Sequence, residues 1–162
     1  MITTTDDTKL ADIEQFLYRE ARYADEHRYA EWESLWTDDG VYWIPANGDD
    51  IDPELQMSII YDNRSRIGLR VRQLMTGKRY TQEPKSRLRR LIGNVELLEE
   101  DGADIHVGAN VIIFESAQRG DILWSARNDY VLRRAEGTFR IARKKVALVN
   151  NEKAIYTLSF LV

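Results

Sequence analysis

The second half of the sequence is organised as four long extended segments, at about residues 87–99, 104–117, 121–135 and 138–150. Their length and their β-branched and aromatic content are typical of strands rather than helices. The pairs that separate them are residue types that favour tight hairpin turns, namely Asp101-Gly102, Arg119-Gly120 and Glu136-Gly137. The sequence therefore predicts an antiparallel meander of four neighbouring strands.

Both faces of this predicted sheet carry apolar side chains. In the segment 104–117, one face receives Ile105, Val107, Ala109, Val111 and Ile113, while Ile112 and Phe114 fall on the other. A sheet with one face in water alternates more cleanly between apolar and polar residues. We therefore expect a second cover besides the helices of the chain, and a partner subunit is the natural candidate.

The first half of the sequence has helical periodicity. Apolar residues predict a helix over about residues 8–26, and Tyr29, Trp32, Leu35 and Trp36 lie on one face of a second, short helix. This second helix is expected to stop in the turn 37–40, where Gly40 suits a left-handed end position. A third helix should begin after the N-cap residue Asn63 and end at Gly77, before a loop over 76–86.

Two short strands complete the pattern. Residues 41–44 predict a strand that is ended by Pro45, and residues 55–61 predict another after the acidic loop 47–54. Helices that come first and an antiparallel sheet that follows indicate an α+β architecture with the helices on one sheet face. We expect a single domain over residues 1–162.

The residue inventory excludes several kinds of site. The sequence has no cysteine, two histidines (His27 and His106) and a formal net charge of −4. Thiolate chemistry and Cys-ligated zinc or iron–sulfur clusters are thereby excluded, and nucleic-acid binding is disfavoured. No stretch approaches the roughly 20 apolar residues that span a bilayer. We expect a cytoplasmic chain that holds no metal or other cofactor of its own.

This order of elements resembles the cone-shaped fold shared by nuclear transport factor 2 (NTF2), ketosteroid isomerase and scytalone dehydratase. Enzymes of that fold place acids, bases and tyrosines in the mouth of the cone, where this chain offers Asp38, Asp39, Tyr23, Tyr42 and His106. One hypothesis is therefore a stand-alone dehydratase, isomerase or cyclase. The competing interpretation gives these residues structural roles, and a non-enzymatic module that binds a ligand in the cone is a third possibility.

Six stretches of the sequence resemble the small (β) subunits of aromatic-ring-hydroxylating dioxygenases. They are FLYREAR (16–22), DEHRYAEW (25–32), TDDGVYWIP (37–45), SRLRRLIGNV (86–95), RNDYVLRR (127–134) and FRIARKKV (139–146). The resemblance covers nearly the whole chain in order and spacing. Residues 52–62, followed by Arg64, are similar to the benzoate and toluate branch of the family.

The resemblance implies an NTF2-like cone fold and a structural subunit of an oxidoreductase complex in the catabolism of aromatic compounds. In the family a larger α subunit holds the Rieske [2Fe-2S] cluster and the mononuclear iron, and three β subunits assemble with three α subunits. It also implies that the distinctive residues of this chain serve packing and ion pairing. Seven candidate interface positions are Trp43, Arg89, Arg90, Trp124, Arg127, Asp129 and Arg133.

The last eight residues, 155–162, include six apolar ones. Such a composition is costly to leave in water. We expect this segment to dock in extended form against the sheet or against an adjacent subunit.

Overall fold

The computed structural model describes residues 4–76, 85–155, 158 and 160–162. The helices are α1 (Thr4–Asp25), α2 (Tyr29–Glu33) and α3 (Arg64–Met75). The strands are β1 (Trp36–Pro45), β2 (Ser58–Asp62), β3 (Arg87–Asp101), β4 (Asp104–Ala117), β5 (Gly120–Ala135) and β6 (Thr138–Leu148). The predicted α+β order is confirmed, and the ends of the four long strands fall within two residues of the predicted ones.

One curved sheet contains the strands in the order β2-β1-β6-β5-β4-β3. The meander β3 to β6 is antiparallel, as predicted, and the Glu136-Gly137 hairpin takes positive φ angles of 52° and 79° at its two turn residues. The sheet departs from the expected all-antiparallel form in one pairing, because β1 runs parallel to β6. The central strands β1 and β6 are therefore joined by contacts between the two halves of the sequence.

The three described helices cover one sheet face, here called the inner face, and none of them packs on the opposite outer face. Ile13, Phe16 and Leu17 of α1 and Trp32 of α2 join the inward side chains of all the long strands in one core. Helix α3 packs on β1 and β2 and begins as predicted, since Asn63 Oδ1 accepts a hydrogen bond from Arg66 N–H at 3.0 Å. The predicted end of this helix at Gly77 lies outside the described residues, as does most of the predicted loop 76–86.

The prediction of a helix-ending turn at 37–40 is wrong, because these residues lie inside β1. The carbonyl of Leu35 accepts a hydrogen bond from Ile141 N–H at 2.7 Å, which starts the pairing with β6 immediately after α2. The register shifts between Trp36 and Val41, so the residues between them bulge from the sheet and expose Asp38 and Asp39. Pairing with a distant strand outweighs the local turn preference.

The expected docking of the last residues is confirmed where the structure describes them. Phe160, Leu161 and Val162 are buried and belong to the core. Residues 156, 157 and 159 lie outside the described residues. The segment 160–162 is therefore part of the fold rather than a free end.

Candidate functional site

The space between the helices and the inner sheet face, here called the cone interior, contains a buried ion pair. Lys144 on β6 places its Nζ 3.0 Å from Oε1 and 3.2 Å from Oε2 of Glu20 on α1. The two residues are only 1% and 2% exposed, respectively. Buried charges of this kind persist in a fold only when they are paired and hydrogen-bonded.

Further polar groups satisfy the Glu20 carboxylate. Trp32 Nε1 donates to Oε2 at 2.9 Å and Tyr130 Oη donates to Oε1 at 3.3 Å. Asn128 Nδ2 in turn donates to Tyr130 Oη at 3.0 Å, while Asn128 Oδ1 has no hydrogen-bond partner among the described residues. The network thus joins α1, α2, β5 and β6 around one carboxylate.

The pKa values of these groups follow from burial and charge. Burial by itself raises the pKa of Glu20, but the charges of Lys144 and Arg90 outweigh it and bring the pKa below 4.5. Burial lowers the pKa of Lys144, and the Glu20 charge opposes that shift. Burial also raises the pKa of Tyr130 and of Tyr42 above 10.0. The geometry favours an ion pair beside two neutral phenols, because Lys144 Nζ lies within 3.2 Å of both Glu20 carboxylate oxygens and burial raises the pKa of both tyrosines.

Residues 160–162 close the cone interior from the mouth. Tyr42 Oη donates to Val162 O and accepts from Val162 N–H, both at 3.0 Å, and Arg90 Nη2 donates to Leu161 O at 2.9 Å. The rings of Phe160 and Trp124 meet edge to face with centroids 5.9 Å apart. Glu20 and Lys144 are therefore screened from a dissolved substrate, which an acid or base must touch to act.

The five residues considered for catalysis do not form one cluster. Tyr42 is buried and bonded to Val162 rather than to any of the other four. Asp38 and Asp39 are exposed on the β1 bulge, Tyr23 lies on α1 beneath the Arg28 guanidinium, and His106 is half-exposed on the outer face. No hydrogen bond or ion pair within the described residues joins Tyr23 or His106 to either aspartate. The stand-alone enzyme hypothesis therefore finds no assembled acid–base site in this mouth.

Asp39 is also a poor candidate for a base. Thr37 Oγ1 donates to Asp39 Oδ1 at 2.6 Å, and Arg133 Nη1 donates to the same oxygen at 2.9 Å. These two hydrogen bonds hold the pKa of Asp39 below 3.8, which weakens it as a proton acceptor. Arg133 also binds both carboxylate oxygens of Asp104, at 2.8 and 3.2 Å, and so links β5 to β4 and to the β1 bulge.

Two of the seven predicted interface residues point inward. Arg90 is buried, and its Nε lies 2.6 Å from Asp25 Oδ1, so that it links α1 to the segment 160–162. Trp124 is buried, and its Nε1 donates to Glu115 Oε1 at 3.1 Å. These two positions support the fold from within, and any role at an interface has to be indirect.

The remaining predicted positions besides Arg133 lie on the outer face. Arg89 is exposed, and Arg127 donates hydrogen bonds to Asn110 and Glu96. Asp129 lies opposite Lys145 in the backbone register of β5 and β6. Trp43 is buried beneath the cationic groups of Arg143 and Lys145, which lie 5.3 and 4.7 Å from its ring centroid. The outer face therefore combines basic, acidic and aromatic side chains.

At one end of the outer face, four large apolar side chains form what we call the outer-face patch: Leu91, Ile112, Phe114 and Leu123. Their exposed fractions are 72%, 42%, 61% and 58%. Leu91 lies opposite Ile112, and Phe114 opposite Leu123, so the patch is continuous over β3, β4 and β5. Contiguous exposed apolar surface is a common feature of interaction sites. The expectation of a second cover over the sheet stays a prediction.

Two further features of the described residues concern metal sites and membrane-spanning helices. Within them, no group of three or more His, Asp or Glu side chains is arranged to hold a metal ion. None of the described helices has the length and apolar character required to cross a membrane.

Sequence reasoning missed Glu20 and Lys144, although a signal was present. Glu20 follows Ile13, Phe16 and Leu17 at helical spacing and so falls in the apolar stripe of α1. Lys144 shares its strand face with Val146 and Leu148. One acidic and one basic residue, each at a core-facing position, indicate an internal ion pair.

The comparisons with known proteins agree with this geometry. The family model described as ring hydroxylating beta subunit matches residues 19–152. The anthranilate 1,2-dioxygenase small subunit of Acinetobacter baylyi is 31% identical over 147 residues, which cover 86% of this chain and 89% of that protein.

Two solved structures extend the comparison. The beta subunit of benzoate 1,2-dioxygenase from Burkholderia mallei is 28% identical, covers 98% of this chain and 99% of its own, and has a TM-score of 0.74. A scytalone-dehydratase-like protein from Novosphingobium aromaticivorans is 10% identical, covers 96% of this chain and 95% of its own, and has a TM-score of 0.68. The second likeness shows the cone fold alone. The chain belongs to the family of ring-hydroxylating β subunits, the structural small subunits of aromatic-ring-hydroxylating oxygenases.

Proposed function

We propose that this chain assembles three larger catalytic α subunits into a terminal oxygenase, with three copies of itself in the complex. In this role it supplies a rigid platform, and the larger subunit hydroxylates the aromatic compound. The observation that carries the proposal is the outer-face patch, which lies on a sheet face that none of the described helices covers. Family membership supports the identity of the partner.

The residues of this chain do not fit the metal centres of such an oxygenase. A Rieske cluster takes two Cys and two His ligands, and the sequence has no cysteine. A mononuclear iron site of two histidines and a carboxylate would need both His27 and His106. His27 has one ring nitrogen 2.8 Å from Ser86 O and the other 2.9 Å from Tyr29 Oη, while His106 lies on the outer face. The proposal therefore assigns the Rieske cluster and the mononuclear iron to the α subunit.

Co-expression tests the proposal. The chain would be produced with a larger chain that is encoded beside it and carries Cys-x-His and Cys-x-x-His pairs, and the affinity-purified complex would be weighed by native mass spectrometry. We expect equal numbers of the two chains and a mass of three of each. A larger chain that purifies alone, with full metal content and full ring-hydroxylating turnover, would show that the small chain is dispensable and would overturn the proposal.

A pair of matched substitutions tests whether the outer-face patch is needed for the complex. Phe114→Ser changes the patch, whereas Met75→Ser changes a methionine of α3 that is exposed to a similar degree, 59% against 61%. We expect the first substitution to reduce the yield of complex while the second leaves it unchanged. Equal yields of complex from both variants would show that the patch has no role in assembly.

A further inference from the structure

The loop between β1 and β2, residues 46–57, presents two large apolar side chains to solvent. Leu55 and Met57 are 82% and 83% exposed, the highest values among the exposed large hydrophobic residues described. The loop is ordered by a turn in which Leu55 N–H and Gln56 N–H donate to Asp52 O at 3.1 and 2.9 Å. A well-defined turn that holds two apolar side chains in water indicates a contact surface rather than a free linker.

The same loop is strongly acidic. It contains Asp49, Asp50, Asp52 and Glu54, and it has no lysine or arginine. Asp49 accepts a hydrogen bond from Asn151, Asp52 from the backbone N–H of Glu54, and Glu54 from Tyr61. None of the four carboxylates forms an ion pair within the part of the chain that the structure describes. Uncompensated negative charge around apolar side chains calls for a basic, apolar partner surface.

The outer-face patch has that character. Arg87 and Arg89 flank it on β3, both are exposed, and neither forms an ion pair with a described residue. Arg89 lies directly opposite Phe114 in the sheet. A depression of about 260 Å³ beside Phe114 is large enough to admit a leucine or methionine side chain. Both arginines line it, together with Glu115, which is ion-paired with Arg119, and Asp121, which accepts a hydrogen bond from Ser116 Oγ.

We infer that the loop 46–57 of one copy docks on the outer-face patch of the next copy, with Leu55 and Met57 against Phe114 and the carboxylates of the loop beside Arg87 and Arg89. The occupant is a second copy of this chain because the chain itself carries both complementary surfaces.

The two surfaces lie at opposite edges of the sheet, β2-β1 for the loop and β5-β4-β3 for the patch. The contact is therefore head-to-tail, and such contacts close into rings when the rotation permits. The inference deepens the proposed function, since it rests on self-association of the chain into a ring of three.

The test uses two variants that each remove one surface. Leu55→Ser/Met57→Ser removes the loop surface, and Leu91→Ser/Phe114→Ser removes the patch. The matched control, Leu69→Ser/Met75→Ser, changes two apolar residues of α3 that are 50% and 59% exposed. Analytical ultracentrifugation across micromolar concentrations reports the oligomer, and circular dichroism checks that each variant is folded.

We expect trimers from the wild type and the control, and monomers from each surface variant. Loss of an aromatic anchor at an interface typically weakens binding by about 30-fold or more. An equimolar mixture of the two surface variants should form dimers, because one retains its patch and the other its loop. It should not form closed rings, because the second contact is missing. Arg87→Glu/Arg89→Glu should weaken self-association by about tenfold or more at low salt, and less at high salt.

Other outcomes would overturn the inference. They are a strictly monomeric wild type, trimers that persist in either surface variant, and a mixture of variants that stays monomeric. Surface variants that self-associate normally but no longer purify with the large subunit would assign the patch to that subunit. The proposed function would then stand while the inference failed. A wild-type chain that neither self-associates nor binds a large subunit would contradict both the inference and the proposed function.

Discussion

Glu20 and Lys144 take part in the packing of the cone interior and not in chemistry. Their charges meet within 3.2 Å, and the surrounding donors leave the carboxylate no room for a substrate. In the cone-fold enzymes considered above, the acids and bases lie in the mouth of the cone. Here the interior holds an ion pair, and residues 160–162 close it off. The pair fixes which face of α1 packs on β6, a role that buried charges can serve in a fold.

Removing one member of this pair should be strongly destabilising. Lys144→Met leaves a buried, unpaired carboxylate, and breaking such a pair typically costs about 3–5 kcal/mol of unfolding free energy. Urea unfolding should show a larger loss for Lys144→Met than for the double variant Glu20→Gln/Lys144→Met, in which the charge is removed from both sides. Lys153→Met, at an exposed position, is the control. A Lys144→Met variant as stable as that control would contradict the role given to the pair.

The free energy of unfolding, measured as a function of pH on the acid side, should depend on the protonation of Glu20. In the wild type its pKa is held below 4.5, so its contribution is present above that value and is lost as the pH falls through the lower folded-state pKa. In Lys144→Met, burial is no longer opposed by the nearest charge, and the pKa of Glu20 should rise. Protonation of Glu20 should therefore cost the variant less stability than it costs the wild type, and the difference in unfolding free energy between the two proteins should shrink as the pH falls below 4.5. The same dependence on pH in the two proteins would show that the lysine does not control this carboxyl group.

At the scale of the elements, the segment 160–162 connects several parts of the fold. It bonds to Tyr42 of β1 and to Arg90 of β3, and Arg90 is itself held by Asp25 of α1. Three buried side chains and these bonds make the segment act as a plug for the cone. Its apolar composition therefore reflects a structural requirement of the isolated chain.

Truncating the plug should lower thermal stability. Phe160→Ala removes a buried aromatic side chain that packs on Trp124, and such changes typically cost about 3–5 kcal/mol. Deleting residues 158–162 should cost more, because each fully buried apolar side chain contributes about 1.5–3 kcal/mol. Met75→Ala, at an exposed position of α3, should leave the melting temperature unchanged. A deletion variant that melts with the wild type would show that the plug does not stabilise the chain.

Local patterns predicted the elements whose determinants are local. The hairpin glycines and the Asn63 cap fixed the ends of β3 to β6 and the start of α3, since turn and cap preferences act over a few residues. The stretch 37–40 was misassigned because its structure is decided by parallel pairing with β6, far along the chain. The inward positions of Arg90 and Trp124 were missed for a similar reason, as their partners come from α1, from Glu115 and from the plug.

At the scale of the whole molecule, the residues considered for catalysis do not form one cluster, whereas the exposed apolar residues of the outer-face patch are adjacent. The aspartates, Tyr23 and His106 lie on separate elements, and four apolar residues converge on the outer face. Family membership implies a larger partner subunit, and the inferred occupant of this surface is a second copy of the chain. The subunit is not itself the catalyst, and its contribution to turnover should be the complex that it holds together.

Turnover per assembled complex tests this account most directly. Asp38→Asn, Asp39→Asn, Tyr23→Phe, His106→Gln and the two surface variants would each be reconstituted with the large subunit and the electron-transfer chains. Ring hydroxylation would then be divided by the amount of complex measured in the same sample. The account predicts one common value, so that a variant loses activity only as far as it fails to assemble. A catalytic acid or base contributes about 10²–10⁴-fold to rate. A loss of that size in a fully assembled complex with intact metals would contradict the account.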